Sequence, residues 1–485
     1  MLKKYLLLAG LIILILIVNT MRFINLDGVP NGFQIDELTS GVTLACLAQD
    51  GSAPLGNGRY PLFGENSFAS PIPPTYMYPG MLWVKLFGLS QGALRSFTVF
   101  VVTIGLLGLF MIGKYLWNAR CGLWILLAAS ISPWTWTISR VAWESLFFLT
   151  FLSWGLFFCL KARKLHDFII AGIIMSGAVY CYPTARLQIP LFLIVMTLYG
   201  MSHLKWKIPH VITLGAAFLI TSAPLIIFYI TNPVLSARFK ELAITNPDYL
   251  KSINSSGSVL QILLIMSKNF IAHLHPNYLF FKGTPGNLTL STGQQGIMSW
   301  IDGIAVLAGL FWIASRIKQR ISIANTTTLL WLGFLGINIV IGILPATLIS
   351  IDNPHTLRTI GAWPFAMLAT GFILYKTTEK WEWTAWPVLG AAIIFITIFL
   401  KQYFIDYAKT SRGWFSGWTL EEAQNAKTNE QWMDFLYRYH HHMFLSRYYL
   451  MRYHGDNCLQ ARTTWEKLYP LMKALYEKNN PNAPR

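Results

Sequence analysis

Asp36 and Glu37 stand side by side in the segment Gly32-Phe-Gln-Ile-Asp-Glu-Leu-Thr-Ser-Gly41. An adjacent acidic pair is ordinarily a solvated surface feature. Here Ile35 and Leu38 flank it and an apolar stretch runs on to Leu47, so at least one carboxylate is expected to face packed protein. Partial desolvation makes a carboxylate a better proton acceptor, so the chemistry on offer is general base catalysis. A second group is Ser139-Arg140-Val-Ala-Trp-Glu144, whose charges are spaced i, i+4. That spacing suits a plain helix pair worth a few tenths of a kcal/mol; it equally suits an arginine facing a site with Glu144 orienting it. A third is Asn353-Pro-His355-Thr-Leu-Arg358, where a proline that opens a helix would place His355 and Arg358 on its first turn. Basic side chains at a helix N-terminus make an anion site, and near a membrane the expected anion is a phosphate.

Further basic residues fit the same picture: Arg95, Arg186 in Tyr182-Pro-Thr-Ala-Arg186, Arg238 and Lys282. Each could anchor to lipid headgroups or join a phosphate clamp. The run Tyr439-His-His-His442 with His454 suggests a metal, but consecutive histidines point to different helix faces and no CxxC or HExxH pattern accompanies them. No metal site is assigned to them.

These residues need a frame, and the composition says what kind. Of 485 residues, 54% are hydrophobic and only 12% charged, with a mean hydropathy of +0.46. Soluble domains carry roughly twice that share of charge. The net charge of +17 would suit nucleic acid if the basic residues formed one soluble face, but many sit in short loops between apolar runs, where they hold a loop on the cytoplasmic side. The reading is an all-α polytopic membrane protein that binds membrane lipid and no nucleic acid.

Apolar runs long enough to span fall at 5–25, 94–116, 121–139, 143–161, 167–183, 187–202, 209–231, 298–315, 326–350, 357–375 and 385–402, predicting about eleven transmembrane helices. The first follows Leu2-Lys3-Lys4 with no A-x-A-like cleavage site, and reads as an uncleaved span with its N-terminus inside. Lys114/Arg120, Lys161/Arg163/Lys164, Lys205/Lys207, Arg316/Lys318/Arg320 and Lys376/Lys380 then share the cytoplasmic side. Most acidic residues fall opposite, so the chemistry belongs on the extracytoplasmic face.

Two outer loops, about 26–93 and 232–297, are too long to be mere connectors. The first holds Pro71-Ile-Pro-Pro-Thr-Tyr-Met-Tyr and then Gly80 to Gly88, which suits an interfacial helix. The second holds the aromatic segment Asn277 to Gly283. The division is 1–402 as the transmembrane domain and 403–485 as a small helical tail outside. Capping-box patterns in the tail stand at Thr419-Leu-Glu-Glu422 and Thr428-Asn-Glu-Gln431, with a break at Gly455-Asp456. Five scattered cysteines suggest no disulfide framework.

The order of these motifs resembles a known family. A first span followed by Asp36-Glu37, then Pro-Pro-x-Tyr-x-Tyr leading to Gly88 and Ala93-Leu-Arg95, then Ser132-Pro133-Trp134 with Ser139-Arg140, and finally Pro354-His355-x-x-Arg358, is similar to the polyprenyl-phosphate-sugar-dependent glycosyltransferases of the GT-C fold. Protein O-mannosyltransferases and the lipid A aminoarabinose transferase belong there. The likeness covers about 1–400. It implies transfer of a sugar from a dolichyl- or undecaprenyl-phosphate donor to a protein, lipid or glycan acceptor, usually with inversion. It implies Asp36 as general base with Glu37 supporting, and Arg140, His355 and Arg358 near the donor phosphate, with Arg95, Arg186 and Arg238 as further candidates and Glu144, Tyr182 and Lys282 supporting. No nucleotide diphosphate leaves, so the chemistry requires no cofactor; a divalent cation is the lesser possibility. The sequence departs from the family where Ala69-Ser-Pro precedes Pro73-Pro74, since many members carry a basic residue there.

The alternatives are a lipid-linked sugar flippase or other transporter, and a non-enzymatic assembly or lipid-binding protein. A transport path is commonly marked by polar residues at mid-span, and most spans here are apolar at their middle, with no internal repeat. A bacterial plasma membrane is the expected location.

Overall fold

Each apolar run becomes a helix, because in a bilayer a spanning backbone must satisfy its own hydrogen bonds. The computed structural model describes residues 2–52, 58–64, 71–232, 237–318, 327–439 and 443–479. Among them are helices and no strand, only isolated bridges such as that between Gly32 and Ser416. Six helices are long and apolar enough to cross a membrane by themselves: Gln91–Leu116, Glu144–Lys161, Ala185–His203, Ile208–Thr231, Thr328–Thr347 and Glu382–Gly413. The pair Ala119–Ile131 and Pro133–Ser139, bent by 57°, is long and apolar enough by the same measure when taken together. The remaining runs are helical but shorter or less apolar, among them Leu165–Cys181 and Trp363–Lys380.

The bend has a local cause. Pro133 has no N–H and its ring obstructs the preceding turn, so the first helix ends at Ile131 and a new one starts. Ser132 Oγ at the break accepts from Trp363 Nε1 at 3.0 Å, and Trp134 Nε1 donates to the Thr356 carbonyl at 2.9 Å. A Cβ on Gly371 would lie 2.3 Å from Ile125 Cα, so the helices Trp363–Lys380 and Ala119–Ile131 meet backbone to backbone only because residue 371 has no side chain.

The chain forms two compact units. The first comprises Met1–Ile24, Val99–Ser139 and Ser145–Tyr403; the second comprises Asn25–Thr98, Arg140–Glu144 and Phe404–Arg485. The sequence divides at 402/403, whereas here the tail shares a unit with the first outer segment. Phe33 packs edge-on against Tyr448 with ring centroids 4.6 Å apart, the Asn31 N–H donates to Ser411 Oγ at 3.0 Å, and the Cys458 N–H donates to Gln49 Oε1 at 2.7 Å. Gly32, at φ +101°, leaves no room for a side chain beside the Phe415 carbonyl. Cys46 and Cys458 are joined in a disulfide that the scattered spacing did not suggest. Cys458→Ser is expected to lower stability by about 2–4 kcal/mol, read as faster proteolysis of the segment 404–479.

Three local expectations change. Thr419 lies inside the helix Gly417–Asn425, whose cap position is Ser416 in a left-handed conformation, so the first tail capping box does not form. The second does: Thr428 Oγ1 accepts from the Gln431 N–H at 3.2 Å and Gln431 Oε1 accepts from the Thr428 N–H at 3.1 Å. Pro354 opens no helix; Asn353 to Thr359 form turns, and the helix starts at Trp363 with Pro364 in its first turn. His440 to His442 lie outside the described residues.

Candidate active site

In the second unit, Asp36 and Glu37 occupy the first turn of the helix Ile35–Asp50 and do different work. Gln34 caps this helix. Its backbone N–H donates to Glu37 Oε2 at 3.0 Å, and its side-chain oxygen accepts from the Asp36 N–H at 2.6 Å. Carboxylates are favoured at this end of a helix by the exposed N–H groups and the dipole.

Glu37 is wholly buried and saturated. Arg95 Nε and Nη2 donate to its two oxygens at 2.8 and 3.0 Å, and the Ala142 N–H donates to Oε1 at 3.0 Å. Arg95 is equally buried, and its other donors go to the carbonyls of Leu26, Pro30 and Gly32 at 2.9, 2.7 and 2.7 Å. All five guanidinium N–H groups therefore have acceptors within the protein. The expected place of Arg95 at a donor phosphate has no guanidinium N–H left to serve it here, whereas Glu37 supports the segment as the resemblance implies, as a brace. Arg140 belongs to the same unit. It is fully buried, donates to the Val29 and Asn25 carbonyls at 2.9 and 3.2 Å, and stacks on Phe404.

Asp36 is only partly buried. Gln34 Nε2 donates to its Oδ2 at 3.1 Å, while Gln34 Oε1 also accepts from Trp143 Nε1 at 3.2 Å. Two donors on Oε1 and an acid on Nε2 fix which way the amide points. Glu144 lies close enough for its carboxylate and that of Asp36 to repel, and its Oε2 is buried without a hydrogen-bond partner among the described residues. Tyr76 is fully buried nearby and donates to the Ala142 carbonyl at 3.4 Å. Burial, then the Glu144 carboxylate, push its phenol above the usual range, so it stays protonated. Asp36, Glu144 and Tyr76 thus form one acidic cluster held by Gln34 and the Glu37–Arg95 pair.

The other predicted residues lie in the first unit. His273, at the end of the helix Val259–Leu274, donates from Nδ1 to the Asn269 carbonyl at 2.7 Å and accepts the His355 N–H on Nε2 at 3.0 Å. His355 Nδ1 accepts the Arg358 N–H at 3.2 Å, which leaves its proton on Nε2. Burial holds His273 down at about 4 and His355 well below the usual imidazole range. His355 thus offers an Nε2–H donor where the sequence suggested a cation. Arg358 keeps its charge and donates to the Ile351 carbonyl at 2.6 Å. Thr284, Thr356, Tyr278 and Thr359 tie the turn together. Arg186 stacks on Tyr229, its guanidinium carbon 4.1 Å from the ring centre. Tyr182 caps the helix Leu165–Cys181, Lys282 is exposed, and the Arg238 side chain lies outside the described residues.

The buried neutral histidines give a sign to pH dependence. Their folded pKa values lie below the unfolded one near 6.5, so the unfolded chain takes up protons first and stability falls as pH drops below about 6.5. With His273 at about 4, the loss from pH 7 to pH 5 is about 2 kcal/mol from that ring alone. Thermal unfolding at the two pH values measures it, and His273→Gln, whose amide can accept the same N–H, is expected to flatten the difference.

Gln34, Trp143 and His273 were given no role from sequence, and Tyr76 entered only within the Pro-Pro-x-Tyr-x-Tyr motif. Gln34 carried a further signal, the Gln-x-x-Glu spacing of a capping box.

No family model matches the sequence, and no curated protein matches it. Among solved structures, it is similar to the Archaeoglobus fulgidus oligosaccharyltransferase in the apo form, at 12% identity over 90% of this chain and 60% of that one, with a TM-score of 0.50. It is also similar to ArnT from Cupriavidus metallidurans bound to undecaprenyl phosphate, at 13% identity over 96% of this chain and 76% of that one, with a TM-score of 0.49. The chain thus spans about three fifths of the archaeal enzyme's length. At these identities the likeness concerns the fold alone, which the chain shares with the archaeal oligosaccharyltransferase. Its apolar helices make it an integral membrane protein.

Proposed function

We propose that the protein transfers a sugar from a polyprenyl-phosphate carrier to an extracytoplasmic acceptor, with Asp36 as the general base. The observation that carries this reading is the division of labour in the acidic pair. Glu37 is consumed by Arg95, whereas Asp36 is partly exposed at a helix N-terminus, with Gln34 aiming its carboxylate. The motif order and the GT-C fold support the same class.

In the reaction an acceptor hydroxyl oxygen attacks the anomeric carbon while the bond from that carbon to the carrier phosphate oxygen breaks. Asp36 takes the hydroxyl proton, and polyprenyl phosphate leaves with the electron pair. A base already fixed in place supplies proximity as well as basicity. Negative charge grows on the departing phosphate, so fixed cations there stabilise the transition state more than the ground state. Arg186, Arg358 and Lys282 are the basic residues assigned to this role, with the His355 Nε2–H as a further donor. The step needs no metal or other cofactor. The Cys46–Cys458 disulfide supports an extracytoplasmic site, since such bonds persist in oxidising compartments.

Displacement by this route inverts the anomeric carbon. Nuclear magnetic resonance of the product formed from a polyprenyl-phosphate sugar of known configuration tests it: the opposite configuration is expected, and retention would exclude a single displacement with Asp36 as base.

A further inference from the structure

At the opposite end of the spanning helices from the Ser132-Pro133 break, the loops 162–164 and 204–207 enclose a pocket of about 300 Å³ lined by Ala162, Arg163, His203, Leu204, Lys205, Trp206 and His210. Its lining holds an arginine, a lysine and two histidines, while the carboxylate of Asp167 beside the loop is taken up by the Arg163 and Lys164 N–H groups at 2.9 Å each. The proposed transfer uses none of these residues.

Their donors are set by local structure. Arg163 is pinned by Nη1 to the Leu160 and Ala162 carbonyls at 3.3 and 2.8 Å and by Nη2 to Tyr115 Oη at 3.0 Å, which leaves its Nε–H unclaimed among the described residues. His210 accepts the Lys207 N–H on Nδ1 at 3.1 Å, so the ring carries its proton on Nε2. It lies flat on Phe168, centroids 4.6 Å apart. Lys205 is exposed, held at φ 59° in the tight turn. His203 has Nδ1 against Ser202 Oγ at 2.6 Å and stacks on Tyr199. The helix Ile208–Thr231 starts here, adding the positive end of its dipole.

Apolar side chains surround this basic mouth. Leu165, Ile208 and Ile212 are exposed at 50%, 64% and 64%, and Trp206 is buried in the wall, its ring edge-on to Phe168. A free anion in water has no use for such a rim, whereas a lipid places acyl chains against it and a phosphate at the mouth.

We infer that this pocket binds the phosphate of an anionic glycerophospholipid at the membrane face away from the Ser132-Pro133 break. The inference rests on the membrane reading of the chain and not on its being a transferase.

The test is native mass spectrometry and thermal unfolding of the full-length protein in detergent, titrated with phosphatidylglycerol, with phosphatidylcholine, or with inorganic phosphate. The expected result is retention of phosphatidylglycerol and stabilisation by it over phosphatidylcholine, with little effect of inorganic phosphate. Arg163→Gln/Lys205→Gln is expected to weaken phosphatidylglycerol binding about thirtyfold, from two charges at the usual interfacial worth of each. Lys114→Gln/Lys401→Gln, which removes two charges elsewhere, is expected to leave it unchanged. Equal binding by both double variants would overturn the site. Stabilisation by inorganic phosphate equal to that by the lipid would overturn the lipid as its source. If Arg163→Gln/Lys205→Gln does not fold, Lys205→Gln alone carries the test, since that side chain is exposed and makes no hydrogen bond among the described residues; an unchanged lipid titration there would count against the pocket.

Discussion

Asp36→Asn is expected to lower sugar transfer by about 100- to 10,000-fold, the usual worth of a positioned general base, while leaving the protein folded. The substitution keeps an oxygen to accept from Gln34 Nε2 and keeps the backbone N–H that donates to Gln34 Oε1. What disappears is the ability to take the hydroxyl proton. The loss is therefore expected in kcat, with donor binding little changed. Gln34→Ala offers an intermediate case, because it releases Asp36 and Trp143 together without removing the base. A variant with asparagine at 36 that turns over as the wild type does would remove Asp36 from the mechanism.

Arg95→Met is expected to cost stability and not to act through donor binding. It leaves the Glu37 carboxylate buried without its cation and takes donors from the Leu26 and Pro30 carbonyls, while the Gly32 carbonyl keeps the one from Gln91 Nε2. Removing one partner of such a pair costs about 3–5 kcal/mol, because the remaining charge is uncompensated. Glu37→Gln added to Arg95→Met is then expected to recover part of the loss, since the stranded charge is gone. Thermal unfolding of the two single variants and the double variant measures the coupling. An Arg95→Met protein as stable as the wild type but weakened in donor affinity would restore Arg95 to the phosphate.

Helix placement was legible because hydropathy decides it: every apolar run in the chain is helical. Where proline decides the boundary, the reading depended on which proline. Pro133 breaks the run read as one span over 121–139, whereas Pro354 sits in a turn and Pro364 takes the helix start. The partial burial of Asp36 was legible because apolar neighbours flank it near a span. The fate of Glu37 was not, because Arg95 lies 58 residues away and nothing local distinguishes a lipid anchor from a buried brace. The same holds for the disulfide, whose cysteines are 412 positions apart. The neutrality of His355 depends on burial and on His273, neither of which leaves a mark in its own motif.

The central claim is that this chain cleaves the bond between a sugar and a polyprenyl phosphate. The most direct measurement is release of polyprenyl phosphate from a panel of polyprenyl-phosphate sugars by the purified protein, with native membrane extract as acceptor source and Asp36→Asn alongside. Release by the wild type from one donor, absent in the variant, is the expected result. Equal release by both proteins, or movement of the intact lipid-linked sugar across a bilayer with no release from any donor, would contradict the account.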